Sequence, residues 1–271
     1  MALSSRTAKL REPSVEHIMT ALSFARAAFL ASVFITFLVE NGHAAELRVL
    51  AGGAMTAVWA EVKPKFEQVT GHQLDIFFGT TPNLIKEATS GKSFDVGVVP
   101  VEVMQDAAAR AKFTAGTTSD VARVGLGVAV RAGAPKPDIG TPDAFKAALL
   151  KAQSIATLPA SAAGAQVMKA FERLGVADAI KGKLQAKAAP AEIVAAVAKG
   201  EAELGVFLLN VLTAPGLDVV GPFPADLQQE VVFTGAVAAD TKQGDAAKAL
   251  LGYLKSPEAR AIIKAKGMAP G

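Results

Sequence analysis

The chain has 271 residues, 51% hydrophobic and 20% charged, with a formal net charge of +3 and no cysteine. That composition excludes a disulfide framework and a Cys-ligated metal, and a near-neutral balance without runs of like charge argues against nucleic acid, which calls for a basic stripe. Of the three histidines only His72 lies beyond residue 43, so neither a His/Cys metal cluster nor a histidine-centred catalytic triad has its parts.

In chain order, residues 1–26 carry Arg6, Lys9, Arg11 and Arg26 against Glu12 and Glu16, and "AAFLASVFITFLV" (27–39) is uncharged and apolar. "ENGHAA" follows, with Gly42 and Ala44 spaced as a small-x-small cleavage site. This order predicts a secretory signal peptide over 1–45; the apolar run is shorter than the roughly 20 residues of a membrane span, against an uncleaved anchor. The start (Met1 or Met19) and the cleavage bond stay open. The export signal implies a compartment that permits disulfides, yet the chain uses none, so its stability must come from burial.

From residue 46 onward, strand-like and helix-like stretches alternate. "LRVLAG" precedes the helical "AMTAVWAEVKPKFEQVTG", in which Val58, Val62 and Phe66 share a face, Pro64 lies inside and Gly71 stops the helix. "LDIFFG" and "FDVGVVP" read as strands around a short helix with Pro82 in its first turn, and "VEVMQDAAARAKF" as one helix. "VARVGLGVAVRAG" is a long strand; Thr141 and Pro142 open the next helix as N-cap and first residue. "SIATLP", "ELGVFLL" and "LDVVGPFP" are further strands, interleaved with "AGAQVMKAFERLGV" and "AEIVAAVAKGEA" as helices. A long strand, "QEVVFTGAVAAD", leads to a helix pair joined at Ser256-Pro257. Strands alternating with helices of this length predict an α/β chain built of βαβ units on mostly parallel sheet. The two long glycine-bearing strands, at 122–130 and 230–239, could both pass between two lobes.

Catalytic parts are few. His72, at a helix end beside a turn, reads as a capping or surface histidine. "SGKS" (90–93) resembles the tail of a phosphate loop, but Lys86 stands where that loop needs glycine and a strand follows it, so it reads as a turn. Glu87, Asp95, Glu102 and Asp106 show no convergence for acid–base work and read as solvated faces and caps. Helix starts are more informative. "AGGAMT" (51–56), "FGTTPN" (78–83) and "PASAAGAQ" (159–166) each follow a strand with small or hydroxyl-bearing residues. Singly, each is an ordinary N-cap and tight turn. Together they would present unpaired N–H groups and positive dipole ends at the carboxyl edge of a sheet, with Thr80, Thr81 and Ser161 adding hydroxyls. That pattern predicts a cleft for a small anion rather than an enzyme or a cofactor site.

The stretch from "LRVLAGGAMTAVWAEV" to "FDVGVVP" resembles the opening of the periplasmic molybdate-binding proteins, and "AAGAQVMKAFERLGV", "KGEAELGVFLL" and "ALLGYLKSPEARAIIKAKGMAP" resemble their later parts in the same order. The resemblance covers nearly all of 46–271. It implies a two-lobed type II periplasmic binding protein fold, with lobe I formed by 46–123 plus 238–271 and lobe II by 124–237, closing by a hinge on a ligand in the cleft between them. It also implies a monomeric, non-enzymatic receptor feeding an ABC permease and ATPase. The family's oxyanion contacts, carried over, fall on Ala54, which lacks the hydroxyl, on Thr81, which keeps one, on the amides near Ala163 and Ile193, and on Leu208, where the family has a tyrosine. Gly53, Met55, Thr80 and Ser161 complete the expected lining. With two donors absent, the expected ligand is a molybdate-like oxyanion or, alternatively, a small organic carboxylate suited to Met55, Phe207, Leu208 and Asn210; the lesser alternatives are a non-transport signalling protein and an enzyme on this fold, which would need a proton-transfer residue in the cleft.

Overall fold

The computed structural model describes residues 44–271; apart from Ala44 and Ala45, the predicted signal peptide lies outside the described residues. The first sheet begins with β1 (Glu46–Gly52), flanked on either side by β2 (Gln73–Gly79) and β3 (Val96–Pro100), all parallel. α1 (Thr56–Thr70) connects β1 to β2 and α2 (Thr81–Thr89) connects β2 to β3. α1 buries Val58, Val62 and Phe66, the face its spacing predicts, with Trp59 beside them, and ends at Gly71, whose φ of 74° is a left-handed conformation that glycine adopts without steric cost. The helix continues through Pro64. His72 accepts a hydrogen bond at Nδ1 from Ala45 N and so fastens the start of β1.

The helix expected over "VEVMQDAAARAKF" is two short pieces, α3 (Val101–Gln105) and α4 (Ala107–Arg110). Asp106 between them is extended, with φ −70° and ψ 122°, and its carboxylate accepts from Ala109 N at 2.8 Å. A capping aspartate in mid-pattern offers the backbone an alternative to the helix, and here that alternative wins.

β4 (Ser119–Arg131) belongs to both sheets. Its first half, Ser119–Gly125, runs antiparallel to β9 (Glu230–Val237), and Leu126–Arg131 runs antiparallel to β7 (Leu204–Leu208) and β8 (Leu217–Pro222). At the crossing, the Gln228 carboxamide takes both backbone groups of Leu126: Leu126 N donates to Oε1 at 2.8 Å, and Nε2 donates to Leu126 O at 2.9 Å. β9 differs from the expectation of two lobe-spanning strands. It pairs only with β3 and the first half of β4, and so stays within the first sheet.

In the second sheet β7, β5 (Ile155–Thr157) and β6 (Leu184–Ala186) are parallel. Its helices are α5 (Pro142–Lys151), α6 (Ala162–Arg173), α7 (Ala177–Ile180), α8 (Pro190–Ala198) and α9 (Leu209–Leu212). Thr141 and Ser161 cap α5 and α6, their hydroxyls accepting from Ala144 N and Gly164 N. The chain then returns. α10 (Gly244–Leu254) and α11 (Pro257–Ala265), the latter capped by Ser256 as expected, pack on the first sheet, and β10 (Ala269–Pro270) pairs with Ala122 and Arg123 of β4. Trp59 and Phe66 are fully buried under the first sheet, and Phe145, Phe171 and Phe207 in the second half. Each such side chain contributes about 1.5–3 kcal/mol by leaving water, which is how a chain without cross-links holds together. Among the described residues no helix is long and apolar enough to cross a membrane.

Candidate functional site

A cavity of about 840 Å³ lies at the carboxyl ends of β1, β2, β5 and β7. That is where an open α/β sheet places its helix starts, and four of them border the cavity: the 3-10 turn Gly53–Met55 ahead of α1, and the first turns of α2, α6 and α8. The walls are mostly alanine, proline, leucine and phenylalanine, with Phe78 the large apolar side chain that stays 38% exposed at the mouth. The one ionisable side chain among the lining residues is Lys266.

Each helix start can be read atom by atom. Thr80 is the N-cap of α2, yet its side chain makes no capping bond, which leaves the hydroxyl uncommitted at the cavity wall. Thr81 Oγ1 accepts from Ala162 N at 3.0 Å, a bond that runs from α2 to the first residue of α6. Because the oxygen is the acceptor there, its O–H remains free to donate. Ser161 has no such freedom. Its Oγ accepts from Gly164 N at 3.0 Å and its O–H donates to Leu158 O at 2.8 Å, so the donor role expected of it is spent on local structure. Ala163, between the capped and bridged amides, lines the cavity, and its N–H has no partner among the described hydrogen bonds.

Of the nine residues expected from sequence, Gly53, Ala54, Thr80, Thr81, Ser161, Ala163 and Leu208 line this one cavity. Two do not. Met55 is fully buried in the core beneath it, because the 3-10 turn rotates its side chain inward. Ile193 is also fully buried: Pro190 starts α8 three residues earlier, so Ala191 supplies the first-turn amide at the cavity and Ile193 lies a turn inside. The two opening glycines have separate reasons. A Cβ on Gly52 would stand 2.5 Å from Phe233 Cε1, so that glycine is required by packing; Gly53 faces open cavity, with its nearest neighbours 3.6 Å from such a Cβ.

Sequence reasoning missed Phe78, the segment Ala188–Ala191, the stretch Thr213–Pro215 and Lys266. Phe78 and Ala191 sit in or beside helix starts that the sequence singles out, but an apolar or alanine side chain there carries no polar signal; Lys266 reaches the cavity only through the C-terminal return of the chain. Asn210 is 8% exposed and its Nδ2 donates to Ala54 O at 2.8 Å. Facing a carbonyl oxygen, the amide must present its NH2 group, which leaves Oδ1 buried with no donor. With Ala162–Thr81, this is the second hydrogen bond that joins residues on opposite sides of the cavity.

The bacterial extracellular solute-binding protein family, as a sequence model, matches residues 47–269. The chain belongs to that family. An aconitate isomerase of a Pseudomonas species is 36% identical over 232 residues, 83% of this chain and 87% of that protein. The molybdate-binding protein ModA of Azotobacter vinelandii is 28% identical over 253 residues, 91% of this chain and 98% of that one. In three dimensions the solved periplasmic molybdate-binding protein of Azotobacter vinelandii superposes with a TM-score of 0.70 at 20% identity, over 83% of this chain and 99% of that one. The resemblance to the molybdate-binding proteins therefore holds, and with it the two-lobed type II periplasmic binding fold. The similarity to a protein named for an isomerase bears on the lesser alternative, an enzyme on this fold.

Proposed function

We propose that this protein is a periplasmic receptor of an ABC importer, with a permease and an ATPase as partners, and that its cleft closes by a hinge on a small organic anion. The observation that carries this reading is the cavity itself. At about 840 Å³, and open to solvent on one side, it admits an organic ligand. Ala54 and Leu208, where the family resemblance requires a hydroxyl and a tyrosine, are both on its wall and offer no side-chain donor. Thr81, Thr80 and the amides of Ala163 and Ala191 remain as donors for a carboxylate. Carbon walls then suit the rest of the ligand. The proposed lobes are close to those read from sequence, 46–123 plus 238–271 and 124–237, with β9 grouped with the first lobe because its pairing partners lie there.

A titration of the purified, dialysed protein tests this. Succinate, trans-aconitate and other small carboxylates are expected to give heat and to raise the melting temperature, while molybdate and tungstate give neither. Submicromolar molybdate binding with silent carboxylates would return the ligand to the oxyanion class. A second reading, isomerisation of an unsaturated carboxylate, is favoured by the relative named aconitate isomerase. Such chemistry needs a proton acceptor within reach of the substrate, and Lys266 is the lone ionisable side chain on the wall. Incubation with trans-aconitate, followed by separation of its isomers, distinguishes the two: the receptor reading predicts no conversion.

A further inference from the structure

The cavity's single charge sits under restraint. Lys266, the residue that follows α11, lines the cavity, and its ammonium is ion-paired with Glu61 on α1, which does not line it. Both side chains keep contact with water, at 30% and 46% relative exposure. Ion pairs of this kind are weak and exchange readily, because solvent competes for both partners. A ligand carboxylate inside the cavity offers the ammonium the same chemistry in a drier place, where the attraction is less screened. The helix starts of α2, α6 and α8 supply donors for one anionic group from other elements, and Lys266 supplies a separate positive point on the C-terminal segment.

We infer that Lys266 reads a second carboxylate, so that the cleft selects di- and tricarboxylates over monocarboxylates, and that Glu61 competes with the ligand for Lys266. This rests on the organic-anion reading above and names the class within it. The competition gives the two residues opposite signs. Removing Lys266 weakens binding of the polyanion; removing the Glu61 charge frees Lys266 and strengthens it. A pair that merely braced the fold would shift both variants in the same direction.

The test is calorimetric titration of wild type, Lys266→Gln and Glu61→Gln with trans-aconitate and succinate, and with crotonate and butyrate as matched monoanions. Wild type is expected to prefer the polyanions by about tenfold or more, corresponding to one good charge contact. Lys266→Gln abolishes that preference, lowering polyanion affinity by about tenfold more than monoanion affinity. Glu61→Gln raises polyanion affinity a few-fold. A polyanion preference that survives Lys266→Gln, or a fall in affinity in both variants, overturns the inference while the organic-anion reading stands. Silence of wild type towards all four acids overturns both.

Discussion

Thr81 connects the two sides of the cavity and still has a hydrogen to give. Thr81→Ala removes the bond to Ala162 N and a donor to the ligand; a hydrogen bond to a charged group contributes about 1.5–3 kcal/mol, so affinity should fall by one to two decades by calorimetry. Ser161→Ala should act differently. Its hydroxyl is held by Leu158 O and Gly164 N, so the variant is expected to lose about 1 kcal/mol of stability in denaturant unfolding with a smaller effect on ligand affinity than Thr81→Ala. Gly164 is a backbone constraint of another kind. A Cβ there would lie 1.8 Å from Leu158 O, so Gly164→Ala must push α6 away from the loop after β5. The expected result is a marked fall in melting temperature together with loss of binding; an unchanged melting temperature would contradict this packing. Thr80 and Thr81 were legible because helix starts carry their own residue preferences, whereas Ala163 and Leu208 were placed by the family resemblance alone. Met55 and Ile193 were misplaced by local geometry: a 3-10 turn and an earlier proline start moved the side chains off the cavity wall.

At the scale of elements, alternation of strand and helix was plain in the sequence, since apolar faces at helical spacing, glycine stops and Thr141, Ser161 and Ser256 caps all agree with one another. The failures are places where two local preferences compete. Asp106 ends α3 and caps α4, and Asp106→Ala should cost about 1 kcal/mol, seen as a melting temperature lower by about 2–4 °C. β9 was given a spanning role from length alone, but strand length says nothing about which partners a strand finds. α1 and α11 are tied by Lys65 and Glu258 at 2.6 Å. Hydrogen bonds from Lys65 and then Tyr253 hold the Glu258 carboxyl below its usual value of 4.5. The tie therefore contributes stability above that value and loses it as pH falls through the lowered folded value. Glu258→Gln should be slightly less stable than wild type at neutral pH, and the gap should close in acid when melting temperatures are compared from pH 7 to pH 3.

For the whole molecule, the chain passes between sheets along β4 at Gly125–Leu126 and again in the loop that carries Gln228, which clasps Leu126 from that second passage. Two adjacent crossings joined by one carboxamide form a narrow connection, the place where the proposed hinge would turn. The hydrogen bonds Ala162–Thr81 and Asn210–Ala54 close across the cavity, away from that connection. In the proposed reading, ligand and closure share atoms, since Thr81 stands in both, and Ala54 offers its carbonyl to Asn210 where the family resemblance expects a hydroxyl for an oxyanion. The cavity as a whole could not be read from sequence, because Lys266, Phe78 and the segment Ala188–Ala191 converge on it from distant stretches of the chain. Competitive titration of the dialysed protein with trans-aconitate and molybdate, at one ionic strength, tests the central claim most directly. The account predicts saturable heat from trans-aconitate that excess molybdate does not displace. Tight molybdate binding with no heat from any carboxylate would contradict it.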